Sequence, residues 1–157
     1  MTAAAKGRDA AQISAVDTSL WVRLLGCHNL MLGELRKSFE GEVTMARFDL
    51  IANLDREDGL TLAELSRRML VTAGNLTGLV DRSERDGVVV RKSDAGDKRL
   101  VRVWLTPEGQ RLARELIPAH AARISKLLSP LAADERRDLR RLLGKLRSSL
   151  AEGHEKT

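Results

Sequence analysis

Residues Leu60–Thr106 read LTLAELSRRMLVTAGNLTGLVDRSERDGVVVRKSDAGDKRLVRVWLT. The first half of this segment has apolar residues at helical spacing in two short runs. The second half has two runs rich in β-branched residues, Val88–Lys92 and Leu100–Leu105, and the turn-forming sequence SDAGDKR lies between them. Two short helices followed by a β-hairpin form a winged helix-turn-helix, which is the fold that this segment predicts.

Both predicted helices begin and end at recognisable residues. Thr61 and Glu64 have the spacing of a capping box, which starts the first helix. Thr72 is the N-cap of the second helix, which runs to about residue 86, where Gly87 stops it. The inward face of this second helix is predicted to consist of Leu76, Leu79, Val80 and Ser83.

The outward face of the second helix consists almost entirely of small residues, namely Ala73, Gly74, Thr77, Gly78 and Asp81. Two glycines inside a helix cost about 2 kcal/mol relative to alanine. Such a cost is typical where another molecule approaches the backbone closely.

A helix in a DNA major groove needs this narrow face, polar side chains for base edges and cations for phosphates. The predicted DNA contacts on the helices are Arg67, Thr72, Ala73, Gly74, Asn75, Thr77, Gly78 and Arg82, with Arg68 and Arg85 as further cations beside the groove. The alternative is an ordinary amphipathic helix with a solvated face.

The hairpin is the second predicted DNA-contacting element. Asp97 and Arg99 are two residues apart on a predicted strand, so their side chains point the same way and pair. A carboxylate beside the arginine would aim it into a minor groove, while Arg91, Lys92 and Lys98 follow the phosphate backbone. The alternative is a polar turn with an incidental ion pair.

The remaining sequence predicts one domain with helices at both ends. Residues 1–12 and 152–157 are predicted to be disordered tails, and 13–151 to form the domain. Within it, the winged unit spans about 43–105, and dimerisation helices span about 13–40 and 107–150, with helix breaks near Gly41 and at Ser129–Pro130. The helices at both ends carry leucine stripes that have no obvious intrachain partner of the same length, which favours a two-fold homodimer built from both termini. On the last helix these leucines are Leu139, Leu142, Leu146 and Leu150.

Composition narrows the classes of protein. The chain has 157 residues, a net charge of +5 and one cysteine, so no internal disulfide framework is expected. No apolar run suits export or a membrane span, and we expect a cytoplasmic protein. Phosphate-binding loops, paired general acids and nucleophile motifs are not found in the sequence, so we expect no enzyme and no cofactor.

The sequences VTAGNLTGLVDRSERDG, DKR and LTPEG closely resemble the MarR family of bacterial transcription regulators, over roughly Leu20–Leu146. The resemblance implies a mainly α fold with a small β-hairpin wing and a dimer built from the first, fifth and sixth helices. It also implies that Ala73–Arg82 enter successive major grooves of a pseudo-palindromic operator, with Arg99 positioned by Asp97. Ser83 departs from the family, which usually has leucine there, and we expect looser helix packing at this position.

The resemblance further implies a repressor that a small ligand releases from DNA. The likeness of the first two helices is to regulators of aromatic-acid degradation, including hydroxycinnamate pathways, which indicates an aromatic carboxylate or its coenzyme A thioester. Arg47 and His28 are the expected partners of the carboxylate or carbonyl group. The positions that match the family's ligand site are Trp21, Leu24, Cys27, His28, Met31, Arg47, Phe48 and Ile51. The alternative is that the aromatic residues and Met31 are core and Arg47 a surface residue.

Two other kinds of sensor would use the same fold. Cys27 would serve a redox-sensing repressor, although the tyrosines that hold the reactive thiolate in such relatives are absent from this sequence. A metal-responsive repressor would need Cys27, His28 and His120 to converge, whereas zinc sites favour closer ligand spacing. We therefore expect no metal site.

Overall fold

The computed structural model describes residues 3–37, 43–94 and 96–154, with side chains described from residue 15 to residue 152. The chain is mainly α-helical with one small antiparallel sheet, and it divides after Pro118 into two compact units. The elements are α1 (Ala3–Lys37), α2 (Met45–Arg56), β1 (Leu60–Thr61), α3 (Leu62–Met69), α4 (Ala73–Arg85), β2 (Val89–Ser93), β3 (Val101–Leu105), α5 (Pro107–Leu127) and α6 (Ala133–His154). The predicted winged helix-turn-helix is confirmed.

The sheet has three strands in the order β1-β3-β2, so β3 lies in the middle. Val103 on β3 pairs with Leu60 on one side and with Arg91 on the other. The sequence predicted β2 and β3 but not β1, because two residues are too few to show an alternating pattern. The missed strand attaches the hairpin directly to the segment that precedes α3.

The core of the first unit lies between α2, α3, α4 and the sheet. The residues with 0–1% exposure in this core are Leu50, Ile51 and Leu54 of α2, Leu65 of α3, Leu76 and Val80 of α4, Leu60, Val89 and Val103 of the sheet, and Ala113 of α5. All four residues of the predicted inward face of α4 are buried. Helical spacing therefore identified correctly which face of α4 packs inward and which is left outside.

Ser83 is the polar member of that buried face. It is fully buried, and its hydroxyl has no hydrogen-bond partner among the described residues. A leucine at this position would fill the space with apolar atoms instead of a hydroxyl that has lost its water. The structure thus shows one unsatisfied side-chain oxygen at this position, and the looser helix packing stays a prediction.

The ends of the chain differ from the prediction. The helix α1 begins at Ala3, ten residues before the predicted start at Ile13. The prediction required an apolar period, whereas the alanine-rich sequence before Ile13 favours a helix by intrinsic propensity alone. At the other end, α6 continues to His154, inside the predicted tail. The predicted break at Gly41 and residues 155–157 lie outside the described residues.

The start of α5 is fastened to the end of the helix-turn-helix. The Thr106 backbone N–H donates to the Val88 carbonyl at 3.1 Å, and its hydroxyl accepts from the Gly109 N–H at 3.1 Å. Gly109 is buried, and a Cβ built on it would lie 2.2 Å from the carbonyl oxygen of Val88, the residue before β2. The LTPEG sequence therefore needs glycine at its last position because the backbone of Val88 occupies the space of a side chain.

We expect Gly109→Ala to lower the free energy of unfolding by about 1–3 kcal/mol, because the methyl group would overpack against the Val88 backbone. Gly144→Ala is the matched control, since nothing lies within 4 Å of a Cβ at this α6 glycine. The control should stabilise the chain by up to about 1 kcal/mol through helix propensity. Urea denaturation of both variants measures the difference, and equal stabilities would contradict the close approach at Gly109.

Candidate DNA-binding surface

The start of α3 is fixed by the predicted capping box. The Thr61 hydroxyl accepts from the Glu64 N–H at 3.2 Å, and the Thr61 N–H donates to Glu64 Oε2 at 2.8 Å. The hydrogen bond from the Thr61 backbone lowers the pKa of Glu64. Because β1 ends at Thr61, the same residue both closes the strand and starts the helix.

The turn between α3 and α4 is fastened by Ser66. The Val71 N–H donates to the Ser66 carbonyl at 3.2 Å, and the Ser66 hydroxyl donates to the Val71 carbonyl at 2.6 Å. Leu70, the C-cap of α3, adopts a left-handed conformation with a φ of 54°. Thr72 then caps α4 by accepting from the Asn75 N–H at 3.4 Å. The turn thus sets the angle at which α4 leaves α3.

The outward face of α4 is narrow over its first turn. Ala73, Gly74, Asn75 and Thr77 are exposed, and nothing lies within 4 Å of a Cβ built on Gly74. The Thr77 hydroxyl donates back to the Ala73 carbonyl at 2.9 Å, which holds that side chain close to the helix. These predicted contact residues therefore share one exposed face at the N-terminal end of α4.

Gly78 is covered by one of the predicted contacts. A Cβ on Gly78 would lie 3.3 Å from Arg82 Nη1, so the guanidinium folds back over the next turn of the helix. Gly78 is half-buried as a result, whereas Arg82 itself is exposed. A groove could reach the Gly78 backbone only after the Arg82 side chain had swung away.

Arg91 fastens the wing to α4. Its Nη1 donates to Glu84 Oε2 at 2.5 Å and its Nη2 to Asp81 Oδ1 at 2.6 Å. The Arg91 N–H also donates to Glu84 Oε1 at 2.8 Å, and this bond lowers the pKa of Glu84. Arg91 was predicted to follow the phosphate backbone, but two carboxylates of α4 hold its guanidinium in a half-buried position. Because Asp81 and Arg91 are ten residues apart, helix and strand periodicity gave no signal for the pair.

The predicted pair at the wing tip forms. Arg99 Nε donates to Asp97 Oδ1 at 3.1 Å, and the Arg99 backbone N–H donates to the same oxygen at 3.0 Å. The Arg99 side chain is nevertheless 91% exposed, and its hydrogen bonds lower the pKa of Asp97. The predicted strand geometry was wrong, because β3 begins only at Val101 and both residues lie in the turn. A carboxylate that accepts from the backbone two residues ahead produces the pairing instead.

Asp94 is a wing residue that the sequence prediction missed. Its Oδ1 accepts from the backbone N–H groups of Gly96 at 2.8 Å and Asp97 at 3.0 Å, and its Oδ2 accepts from Arg102 Nε. Arg102 in turn donates to the Gly59 carbonyl at 2.9 Å. An aspartate that opens a turn is a recognisable signal for such N–H contacts, but the arginine eight residues away is visible only in three dimensions. Through Arg102, Asp94 thus connects the wing tip to the residue before β1.

The other predicted cations differ in their settings. Arg67 and Arg85 are exposed in the last turns of α3 and α4, and Lys98 is exposed at the wing tip. Arg68 pairs with Glu57. The Lys92 amine lies 5.7 Å from the centre of the Trp104 ring, a cation–π distance. Lys92 is still exposed, so its charge is directed outward from the wing.

The residues that match the family's ligand site fall into two groups. Trp21, Leu24, Cys27 and His28 are exposed on α1, and Met31 is half-buried there. Phe48 and Ile51 are buried, the latter within the core of the first unit. Arg47 is half-buried on α2 and pairs with Asp86, the C-cap of α4.

Two negative observations concern the described residues alone. No group of three or more His, Cys, Asp or Glu side chains among them could hold a metal ion. In the same part of the chain, none of the helices has both the length and the apolar character needed to cross a membrane.

Asp94 should titrate at about pH 2, because Arg102 and the N–H groups of Gly96 and Asp97 hold its ionised form. Since the pKa in the folded chain lies below the ordinary value of 3.8, the stabilisation is fully present above pH 3.8 and is lost as the pH falls through about 2. NMR titration of labelled carboxyl carbons measures the midpoint. Arg102→Gln should move it toward the ordinary value, and a wild-type midpoint near 3.8 would contradict the contact.

The chain is similar to known proteins over most of its winged unit. The model of the MarR family matches residues 42–100. The HTH-type transcriptional repressor YetL of Bacillus subtilis is 30% identical over 87% of this chain and 83% of its own. YkoM, an uncharacterised HTH-type transcriptional regulator of the same bacterium, is 34% identical over 71% of this chain and 72% of its own.

Solved structures agree on the fold. BpsR of Bordetella bronchiseptica superposes with a TM-score of 0.75 at 20% identity, over 82% of this chain and 98% of BpsR. At 20% identity this superposition shows the fold alone, that is, the arrangement of the helices and the wing. The family relationship rests on YetL and YkoM, which are more similar in sequence. The capped helix-turn-helix, the attached wing and these relatives lead to one conclusion: the chain belongs to the MarR family of DNA-binding transcription regulators.

Proposed function

We propose that the protein is a repressor that binds a pseudo-palindromic operator as a homodimer and leaves it when an aromatic carboxylate or its coenzyme A thioester binds. The observation that carries this proposal is the exposed narrow face of α4 in the same winged unit as an exposed Arg99 that Asp97 holds at the wing tip. YetL, a relative with matching length, is itself a transcriptional repressor.

The proposed DNA contacts follow from the setting of each element. The face of α4 that begins at Ala73 enters the major groove, and the N–H groups of its first turn, capped by Thr72, bind a phosphate. Arg99 enters the neighbouring minor groove. Because Asp97 already restricts the rotamers of the Arg99 side chain, less conformational entropy is lost on binding. Arg67, Arg82, Lys92 and Lys98 supply cations for phosphates, whereas Arg91 contributes indirectly by fastening the wing to α4.

We propose the homodimer because a single chain leaves apolar side chains exposed to water. On α6, Leu139, Leu142, Leu143, Leu146 and Leu150 are 40–60% exposed. On α1, Leu20 and Trp21 are more than 60% exposed. Each helix thus exposes an apolar face of its own. Exposed apolar faces mark protein interfaces, and in a two-fold dimer a second copy would bury the same faces in both chains. Two α4 helices about 34 Å apart then face successive major grooves.

Arg99→Ala should weaken operator binding by about 10- to 100-fold, because each of the two wings loses its minor-groove cation. Fluorescence anisotropy at physiological salt, on a duplex selected from random DNA by the wild-type protein, measures the change. Arg111→Ala is the matched control, since it removes the same charge from α5, where Arg111 pairs with Glu108 and Glu115.

The control should bind within about twofold of the wild type, because long-range charge effects are screened at this salt. Unchanged affinity of Arg99→Ala would contradict the wing contact. Equal losses of affinity in both variants would mean that Arg99 contributes only its positive charge and makes no specific contact.

The effector site is proposed at the α1 and α2 residues that match the family's ligand site. Arg47 is the natural partner of a carboxylate, and it already pairs with Asp86 at the end of α4. An acid that forms an ion pair with Arg47 would compete with Asp86 and loosen the C-terminal end of α4, the proposed DNA-contacting helix. BpsR, which shares the fold, is a protein whose DNA binding is regulated by 6-hydroxynicotinic acid, an aromatic carboxylate.

Release requires the effector to prefer the DNA-incompetent dimer. To free about 99% of a fully occupied operator, that preference must reach about 10⁴-fold. We expect at least one phenolic acid or acyl-coenzyme A thioester from a thermal-shift screen to raise the melting temperature and to release the operator in the anisotropy assay.

The screen has its own controls. The amide of an active acid should be inactive, and Arg47→Lys should need a higher concentration of the acid, because a lysine loses the two-pronged contact but keeps the charge. If no acid or thioester changes either signal, the ligand-relieved mechanism is wrong while the DNA-binding proposal stands.

A further inference from the structure

Leu70 combines an unfavourable backbone conformation with an unfavourable side-chain environment. Its φ of 54° and ψ of 41° place it in the left-handed region, and it is the single non-glycine residue with positive φ in the described part of the chain. A leucine there brings its Cβ too close to the neighbouring carbonyl oxygen. The side chain is also 91% exposed, the highest value among the exposed large apolar residues that the structure describes.

The fold does not require leucine at this position. The turn is held by the Ser66 and Val71 backbones and by the Ser66 hydroxyl, and the Leu70 N–H contributes one more bond to the Ser66 carbonyl. None of these bonds uses the leucine side chain. Glycine would adopt the same φ without strain and would expose no apolar surface. Strain that neighbouring bonds maintain at a surface position is typical of a functional site.

The surroundings of Leu70 indicate which partner its side chain contacts. Leu70 lies two residues before Thr72, and two residues span at most about 7 Å, so its side chain borders whatever lies against the first turn of α4. Arg67 and Arg68 are exposed in the turn before it. An apolar side chain with cations beside it matches a DNA strand, in which apolar sugar carbons lie between phosphates.

We propose that Leu70 packs against the deoxyribose of the operator backbone beside the N-terminus of α4. This inference rests on the proposed DNA binding and adds a contact that carries no charge. The contact contributes apolar burial, so it strengthens binding without adding to the salt dependence, which counts the phosphates that cations neutralise.

Three substitutions separate the side chain from the backbone strain. Leu70→Gly removes both, Leu70→Ala removes the side chain beyond Cβ but keeps the strain, and Leu70→Met keeps an apolar side chain of similar reach. Each variant is measured for melting temperature and for affinity over a range of salt concentrations. The DNA is the duplex that the wild type selects from random sequences, together with a scrambled duplex.

We expect Leu70→Gly to melt about 2–5 °C higher than the wild type because the strain is gone. Leu70→Gly and Leu70→Ala should both bind the selected duplex about tenfold more weakly, because two leucines per dimer lose their contact. The scrambled duplex should lose affinity by the same factor, since every sequence has the sugar, and the salt slope should stay unchanged. Leu70→Met should bind within about twofold of the wild type.

Wild-type affinity in both Leu70→Gly and Leu70→Ala would overturn the contact. Weak binding by Leu70→Gly together with normal binding by Leu70→Ala would also overturn it, because flexibility of the turn would then be the cause. If the wild type selected no duplex at all, the proposed DNA binding itself would be wrong, and the two failures are therefore distinguishable.

Discussion

The pairing of β3 with strands on both of its sides is the constraint on which every proposed DNA contact depends. On one side β3 holds β1, which ends at the residue that caps α3, and on the other side it holds the first strand of the wing. Val103, at the centre of both ladders, is fully buried. A slip of one residue in either register would turn this side chain from the core to the solvent. The wing and the helix-turn-helix therefore keep one relative position, which the proposed recognition of two grooves requires.

Partly buried ion pairs reinforce this constraint and divide the arginines into two groups. Arg91 and Arg102 are half-buried, each contacts carboxylates on another element, and together they fasten the wing to α4 and to the turn before β1. Arg82 and Arg85 are exposed on α4, and Arg99 is exposed at the wing tip. The net charge of +5 therefore does not show that the arginines occur in two different environments. Some cations hold the elements of the winged unit together, and others are exposed where the proposed contacts with phosphates and grooves need them.

Local signals predicted the helix-turn-helix well, because caps depend on neighbours in sequence. Thr61 with Glu64, Thr72 and Gly87 all occupy the predicted boundaries. The features that the sequence did not predict depend on residues far apart in the chain. β1 forms because β3 lies beside it, and Arg91 forms its ion pairs because α4 passes close to β2. The pair of Asp97 with Arg99 was predicted correctly from a wrong strand assignment, since an aspartate in a turn reaches the same arginine through the backbone. The α1 start was missed because alanine favours helices without an apolar period.

Exposed leucines on α6 connect the proposed dimer to the proposed release from DNA. A chain that leaves five half-exposed leucines on one helix is prone to associate, and a two-fold pairing satisfies that tendency with a closed interface. Within each winged unit β3 and Arg91 hold α4 in place, so the distance between two copies of α4 depends on the arrangement of the proposed dimer. An effector that binds near Arg47 acts on this distance only if its binding energy differs between two arrangements of the dimer. Since Arg47 already contacts Asp86 at the end of α4, competition for one guanidinium would supply such a difference in the proposed mechanism.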